Sequence, residues 1–393
     1  EDPVRKGLLF AGTETGVWVS FDDGSHWQSL QLNLPHTSMR DLWIHDHDLI
    51  VATHGRSFWI LDDIAPLEQL TDAVVRSNAY LFKPEAATRV RRDTNTDTPL
   101  PPDEPLGKNP PDGAIIDYYL AQPASGQVTL EILDTQGKLV RRYSSVSHPL
   151  VAEASKTLIP MYWLRPPEVL SAAAGMHRWV WDLHYPAPES NNRDYPIAAV
   201  PHDTPRTPLG PRALPGEYTV RLTADGRTFT APLLVKMDPR VKTPLSGLKE
   251  QCAVEVRLAP MMDRGYDAAA AAKSVQEQIQ KLAGQTTGAT RGSINALEKK
   301  LARIVGGPPL QAAMPSAITL SQVNGDVATL YQEIDRADAA PTLAQASAVS
   351  KTARDFASVM SQWEQVKTVD IPALNQQLAV HSLPVIRIES KQR

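Results

Sequence analysis

Ser20-Phe21-Asp22-Asp23-Gly24-Ser25-His26-Trp27 is a stretch in which each residue has a reason to make a turn. The short carboxylate of Asp22 accepts hydrogen bonds from the N–H groups of a tight turn. Gly24 takes a positive φ without Cβ strain. Trp27 is large enough to pack under the hairpin and close it. Residues 8–13 and 16–21 lead into this turn, and residues 26–30 leave it. All are short runs rich in β-branched and aromatic residues and bounded by Gly or Asp, which reads as strands. A second unit follows, with strand patterns at 41–44, 49–53 and 57–61 and a turn at Asp46-His47. The two units repeat each other: Leu8 and Leu49, Ala11 and Ala52, Trp18 and Trp59, and Asp22 and Asp63 are all 41 residues apart.

Ser20, Asp22, Gly24 and Trp27 fill the four positions of Ser/Thr-x-Asp-x-Gly-x-x-Trp. This is the Asp-box, or BNR repeat, of sialidases and sortilin-like propellers. In that setting the four residues are structural, and Asp22 is not a catalytic acid. The wider runs 11–20 and 52–63 resemble the last blades of a bacterial family of large secreted proteins. That family is related to the sortilin (VPS10) propeller and often labelled as BNR-repeat glycosyl hydrolases. The resemblance covers residues 7–66, extends loosely to the middle of the chain and hardly reaches its C-terminal third. The 41-residue offset agrees with the ~40–45 residues of one blade.

The resemblance implies a partial β-propeller over residues 1–81. A propeller needs ~4–8 blades, and these residues supply fewer than two, so the remainder of the propeller would come from an upstream segment or another chain. Bare strand edges would otherwise invite aggregation. The opening Glu1-Asp2-Pro3, without Met and entering a strand pattern almost at once, reads as a point inside a longer polypeptide. The implied function is binding of a glycan, a peptide or a partner subunit in the periplasm or outside the cell. The alternative is a sialidase-like glycoside hydrolase with its catalytic residues mostly upstream. Hydrolysis would require two suitably placed carboxylates or an Arg cluster with Tyr and Glu, and no such set stands out here.

Composition narrows the rest. The 393 residues suggest two to three domains at ~100–200 residues each. The net charge of −4 lacks the basic surplus of a nucleic-acid binder. No apolar run reaches the ~18 residues of a membrane span. Cys252 is the only cysteine, so no internal disulfide forms. No cofactor is assigned.

Residues 82–112, with seven prolines from Pro84 to Pro111, read as an irregular link. Residues 113–240 read as an immunoglobulin- or fibronectin-like β-sandwich of about seven short strands. The strand patterns lie at 114–120, 127–133, 139–143, 177–183, 216–223, 227–230 and 233–235. Gln136-Gly137 and Asp225-Gly226 mark hairpins. The run Pro215-Gly216-Glu217-Tyr218-Thr219-Val220, followed by Asp238-Pro239-Arg240, resembles the FlgD-like sandwiches of bacterial secreted proteins. Residues 241–393 read as a helical bundle. Thr243-Pro244 is the expected start. Apolar spacing at 268–282 and 294–304 indicates helices, the second stopped by Gly306-Gly307-Pro308-Pro309. Further helices are expected near 317–337 and 342–366, and a short final strand at 385–388 pairing with a sheet. Cys252 is expected to be buried on a helix.

Four residues are candidate ligand contacts. His54 and Arg56 flank Gly55 between two strands, and Arg40-Asp41 opens a strand expected to border a channel. Arginine suits bidentate recognition of a carboxylate such as that of a sialic or uronic acid. The competing reading is a pair of solvated or salt-bridged loops. His45-Asp46-His47-Asp48 has metal-ligating residue types but sits at a hairpin apex, where Asp is favoured for turn reasons, and no metal site is assigned.

Overall fold

The computed structural model describes residues 1–91, 110–190, 193–197, 202–306 and 318–388. Mixed β-sheets come first and helices last. The chain opens with two antiparallel three-stranded sheets. One holds β1 (Leu9–Gly12), β2 (Val17–Ser20) and β3 (Gln28–Ser29); the other holds β4 (Met39–His45), β5 (Asp48–Thr53) and β6 (Phe58–Leu61). They pack face to face. Val17, Met39, Leu49, Val51 and Ile64 are buried between them, with Phe10, Leu42 and Trp59 alongside. A Cβ on Gly12 would lie 3.0 Å from the Met39 Cβ, so the close approach of the sheets depends on glycine there. Two short helices follow, α1 (Ala65–Gln69) and α2 (Asp72–Val75). The strand reading gave no sign of them, because one turn of helix is too short to show a period.

The next eight strands form two further sheets. These strands are β7 (Ala79–Leu81), β8 (Ala87–Arg89), β9 (Ala114–Leu120), β10 (Thr129–Leu133), β11 (Leu139–Ser144), β12 (Gly175–Trp181), β13 (Gly216–Ala224) and β14 (Arg227–Met237). One sheet runs β11-β10-β13-β14-β8 and the other β12-β9-β7. Tyr118, Leu130, Ile132, Trp181, Val220 and Leu222 belong to the single core they enclose. Asp225 and Gly226 both take positive φ, 47° and 72°, the requirement of a two-residue turn between β13 and β14.

The expected boundaries shift. β7 pairs with β9, and β8 runs parallel to β14, so residues assigned to the blades and to the proline-rich link supply strands to this unit. Three-residue strands carry too few side chains for alternation to show. Residues 227–230 and 233–235 belong to one strand. Pro232 interrupts the pattern but is tolerated, because β8 pairs only with Val235–Met237 and β14 is an edge at Pro232. Of the link prolines, Pro99, Pro101, Pro102 and Pro105 lie outside the described residues.

Five helices complete the chain: α3 (Leu245–Ala283), α4 (Gly288–Val305), α5 (Leu320–Asp335), α6 (Leu343–Gln365) and α7 (Ile371–Val380), the last preceded by a π-turn at Val366–Asp370. α3 starts earlier than the apolar spacing showed and continues through Pro260. Thr243 does not cap it: Pro244 holds that position, and the Thr243 hydroxyl donates to the Asp338 carbonyl at 2.6 Å. Cys252 is buried in α3, and burial pushes its thiol up to about 11. Gly306 ends α4 with φ +78°, and the Gly307-Pro308-Pro309 part of the stop lies outside the described residues.

Among the described residues, the strand expected at 385–388 pairs with no sheet. Asn375 bonds both the N–H and the C=O of Ile386, at 2.7 and 2.9 Å, and Gln278 does the same for Arg387 at 2.9 and 2.8 Å. Side-chain amides on two helices thus replace a neighbouring strand in satisfying the backbone.

Candidate functional site

The turn at Ser20–Trp27 is closed by its own side chains. Asp22 Oδ1 accepts from the His26 N–H at 2.8 Å and from the Ser20 hydroxyl at 2.9 Å. Ser20 Oγ accepts from the Gly24 N–H at 2.9 Å. The His26 ring stands 2.6 Å from Asp22 Oδ2. These bonds, those from His26 foremost, hold the Asp22 carboxyl down at about 2. Gly24 has φ +87°, and the Trp27 ring lies beside it. The oxygens of Asp22 are engaged within the turn.

Arg40, Asp41, His54 and Arg56 gather at one end of the second sheet. Arg40 occupies a bulge between Met39 and Asp41, and its guanidinium lies 3.8 Å from Glu14. Asp41 accepts from the Leu42 N–H at 2.9 Å. The His54 N–H donates to the Ser38 carbonyl at 2.8 Å, and the Arg56 carbonyl accepts from Trp59 Nε1 at 2.9 Å. All four side chains are exposed.

The opposite end of the same sheet borders a cleft of about 660 Å³. It is formed by the β4–β5 turn, the residues after β6, the residues before β8, and Pro110–Gly113. Asp46, Asp48, Asp62, Asp63, Glu85 and Asp112 line it, with His47 and Lys236. His47 Nδ1 lies 2.9 Å from Glu68 Oε1 and its Nε2 lies 3.4 Å from Glu85 Oε2. Burial opposes charge on this ring, but Glu68 and Glu85 outweigh it and raise its pKa above the usual value.

Asp63 takes φ +54°. Its N–H donates to Asp48 Oδ1 at 2.9 Å, and its Oδ1 accepts from the Ala65 N–H at 3.1 Å. Burial first, then the nearby charges of Asp117 and Glu85, push its carboxyl up to about 6. Arg178 on β12 fixes this corner. It donates to the carbonyls of Asp62 and Asp63 at 2.6 and 2.7 Å and forks onto Asp117 at 3.0 Å to each oxygen. The second sheet is thereby tied to the two-sheet unit beneath the cleft.

A cleft with this balance of charge attracts cations, and guanidinium or ammonium groups meet both its charge and its acceptors. Among the described residues, no group of three or more His, Cys, Asp or Glu is set to hold a metal ion. The sequence reading reached His47 and the repeat position Asp63 but did not join them to Glu85, Asp112 and Lys236. The signal available was the acid density of 46–63; the partners lie too far along the chain to be read with it. Compared with protein-family models, curated proteins and solved structures, the chain matches none. Among the described residues, no helix is long and apolar enough to cross a membrane.

Proposed function

We propose that this chain belongs to an extracytoplasmic Asp-box propeller protein that binds a partner through cationic groups of a peptide or subunit. In this reading the first two sheets are propeller blades, the next two an immunoglobulin-like sandwich and the helices a bundle. The Asp-box turn and the 41-residue repeat support the blades; the single core between the paired sheets supports the sandwich. The observation that carries the functional reading is the charge of the cleft, where six carboxylates face one lysine and one histidine among the described residues. Such a site repels the acidic sugars that Arg40 and Arg56 would suit.

Titration calorimetry with an Arg/Lys-rich peptide tests it. Binding is expected at low salt, weakening as salt screens the charges and as pH falls through about 6, where Asp63 takes up a proton. Glu85→Gln weakens it about tenfold, the scale of one charge-assisted bond. Equal binding of a Glu-rich peptide, or none of the basic one, refutes the reading.

A glycoside hydrolase is the second reading. Asp63 favours it, since a carboxyl at about 6 has the elevated pKa of a general acid. Turnover of chromogenic glycosides that Asp63→Asn abolishes would establish hydrolysis in place of simple binding.

A further inference from the structure

His47 sits in the acidic cleft with a carboxylate at each ring nitrogen. Nδ1 lies 2.9 Å from Oε1 of Glu68 on α1, and Nε2 lies 3.4 Å from Oε2 of Glu85 on the approach to β8. The two carboxylates differ in reach. The Glu68 side chain is 8% exposed, whereas that of Glu85 is 42% exposed and lines the cleft. Among the described residues, His47 is the ion-pair partner of each.

The chemistry of the ring makes these contacts unequal. An ionised carboxylate only accepts, so the nitrogen facing Glu68 carries a proton in both ring states. In the neutral ring that proton stays on Nδ1 and leaves a lone pair on Nε2, turned to the oxygen of Glu85. A second proton converts this meeting of two acceptors into a charge-assisted pair. The bond to Glu68 therefore persists through the titration, and the pair with Glu85 exists only in the cationic ring.

Burial opposes charge on the ring, but Glu68, Glu85 and Asp63 outweigh it and hold the pKa above its usual value. Asp46 and Asp48 flank the ring on its own turn, and Asp62 and Asp112 add two further acids to the cleft. Lys236 on β14 is the other cation lining the cleft among the described residues. An upward shift of this kind carries a histidine's titration towards physiological pH.

We propose that His47 is an internal competitor for the ligand of the cleft: as a cation it occupies Glu85, and as a neutral ring it releases Glu85 to a guanidinium or ammonium group of the partner. The cleft takes its partner as pH rises and lets it go as pH falls. Loss of the Nε2 proton frees an acceptor and removes a like charge from the path of the ligand in one step. By reciprocity, a bound cationic group drives that proton off His47. The proposal deepens the cleft reading above and rests on it.

Calorimetric titration with the Arg/Lys-rich peptide from about pH 5.5 to 8.5 brackets the usual histidine value. The wild type is expected to gain affinity as Asp63 ionises at about 6, and then about tenfold more at higher pH, the scale of one charge-assisted bond. His47→Asn sets an amide nitrogen where Nδ1 stood, keeping a donor for Glu68 without a second proton to take up. It should retain the Asp63 step, reach full affinity directly above it and lack the later rise. Glu85→Gln should also lack the later rise and stay at the weaker affinity. NMR titration of the His47 ring, assigned by its loss in His47→Asn, follows the pair without ligand. Its midpoint should fall in Glu85→Gln, and fall in the wild type when peptide is bound. Peptide binding with the same pH profile in wild type and His47→Asn overturns the proposal and leaves the cleft reading standing. So does a His47 midpoint that Glu85→Gln leaves unmoved. A peptide that binds at no pH removes the cleft reading, and the proposal with it.

Discussion

Asp22 and Glu255 show how the surroundings of a carboxyl set its charge. Asp22 is exposed and collects bonds from His26 and Ser20, which bring it down to about 2. Its lowered pKa contributes stability that is present above the unfolded value of ~3.9 and lost as pH falls towards 2. Asp22→Ala should therefore lower the thermal midpoint at pH 7 and flatten its fall between pH 4 and 2, as followed by circular dichroism. Glu255 on α3 is 1% exposed. Burial, reinforced by Asp335, pushes it up to about 7, against the bond from Gln251 at 3.0 Å. The sign is the reverse: stability is full below the unfolded value and declines as pH rises through about 7. Glu255→Gln keeps the shape without the charge. It should remove that decline and stabilise the protein at pH 8 by about 3 kcal/mol, at 1.36 kcal/mol per pH unit, as measured by denaturant unfolding.

The join between β8 and the end of α5 depends on few groups. Arg89 on β8 pairs with Asp338 at 2.6 Å, with the two side chains 3% and 5% exposed. Arg89 also donates to the Ala213 carbonyl at 2.9 Å, and Arg91 adds a longer contact of 3.3 Å to Asp338. Gln251 on α3 donates to the carbonyls of Ile334 and Ala337, each at 2.9 Å, which satisfies the end of α5. Removing one member of a buried pair strands the other charge and costs about 3–5 kcal/mol, whereas replacing both with apolar groups is close to neutral. Asp338→Ala should split calorimetric melting into separate transitions for the sheets and the helices. Arg89→Met/Asp338→Leu should restore a single transition. Equal melting of the two variants would show that the ion pair does not couple the elements.

At the scale of the whole molecule, the cleft belongs to no single element. Its walls come from the second sheet, the approach to β8 and Pro110–Gly113. Arg178 ties the first of these parts to β9, donating to the carbonyls of Asp63 and Asp62 from 115 and 116 residues away while it forks onto Asp117. The same assembly leaves Trp43, Phe58 and Ile60 uncovered on that sheet.

The sequence by itself determined what short-range chemistry can settle. The turn at Asp22 is made by bonds spanning two to four residues. The Asp225-Gly226 turn needs only two residues that accept positive φ, and α4 follows a 3.6-residue apolar period through Ile294, Leu297, Leu301 and Ile304. Tertiary structure alone decided the rest. It recruited β7 and β8 into the paired sheets and gave 385–388 side-chain partners in place of a strand. It raised Glu255 and Asp63 by burial, and it placed the acidic cleft at the end of the sheet opposite Arg40 and His54. In each of these cases the deciding partner is remote in sequence or the deciding quantity is solvent exclusion, and neither leaves a periodic trace in the chain.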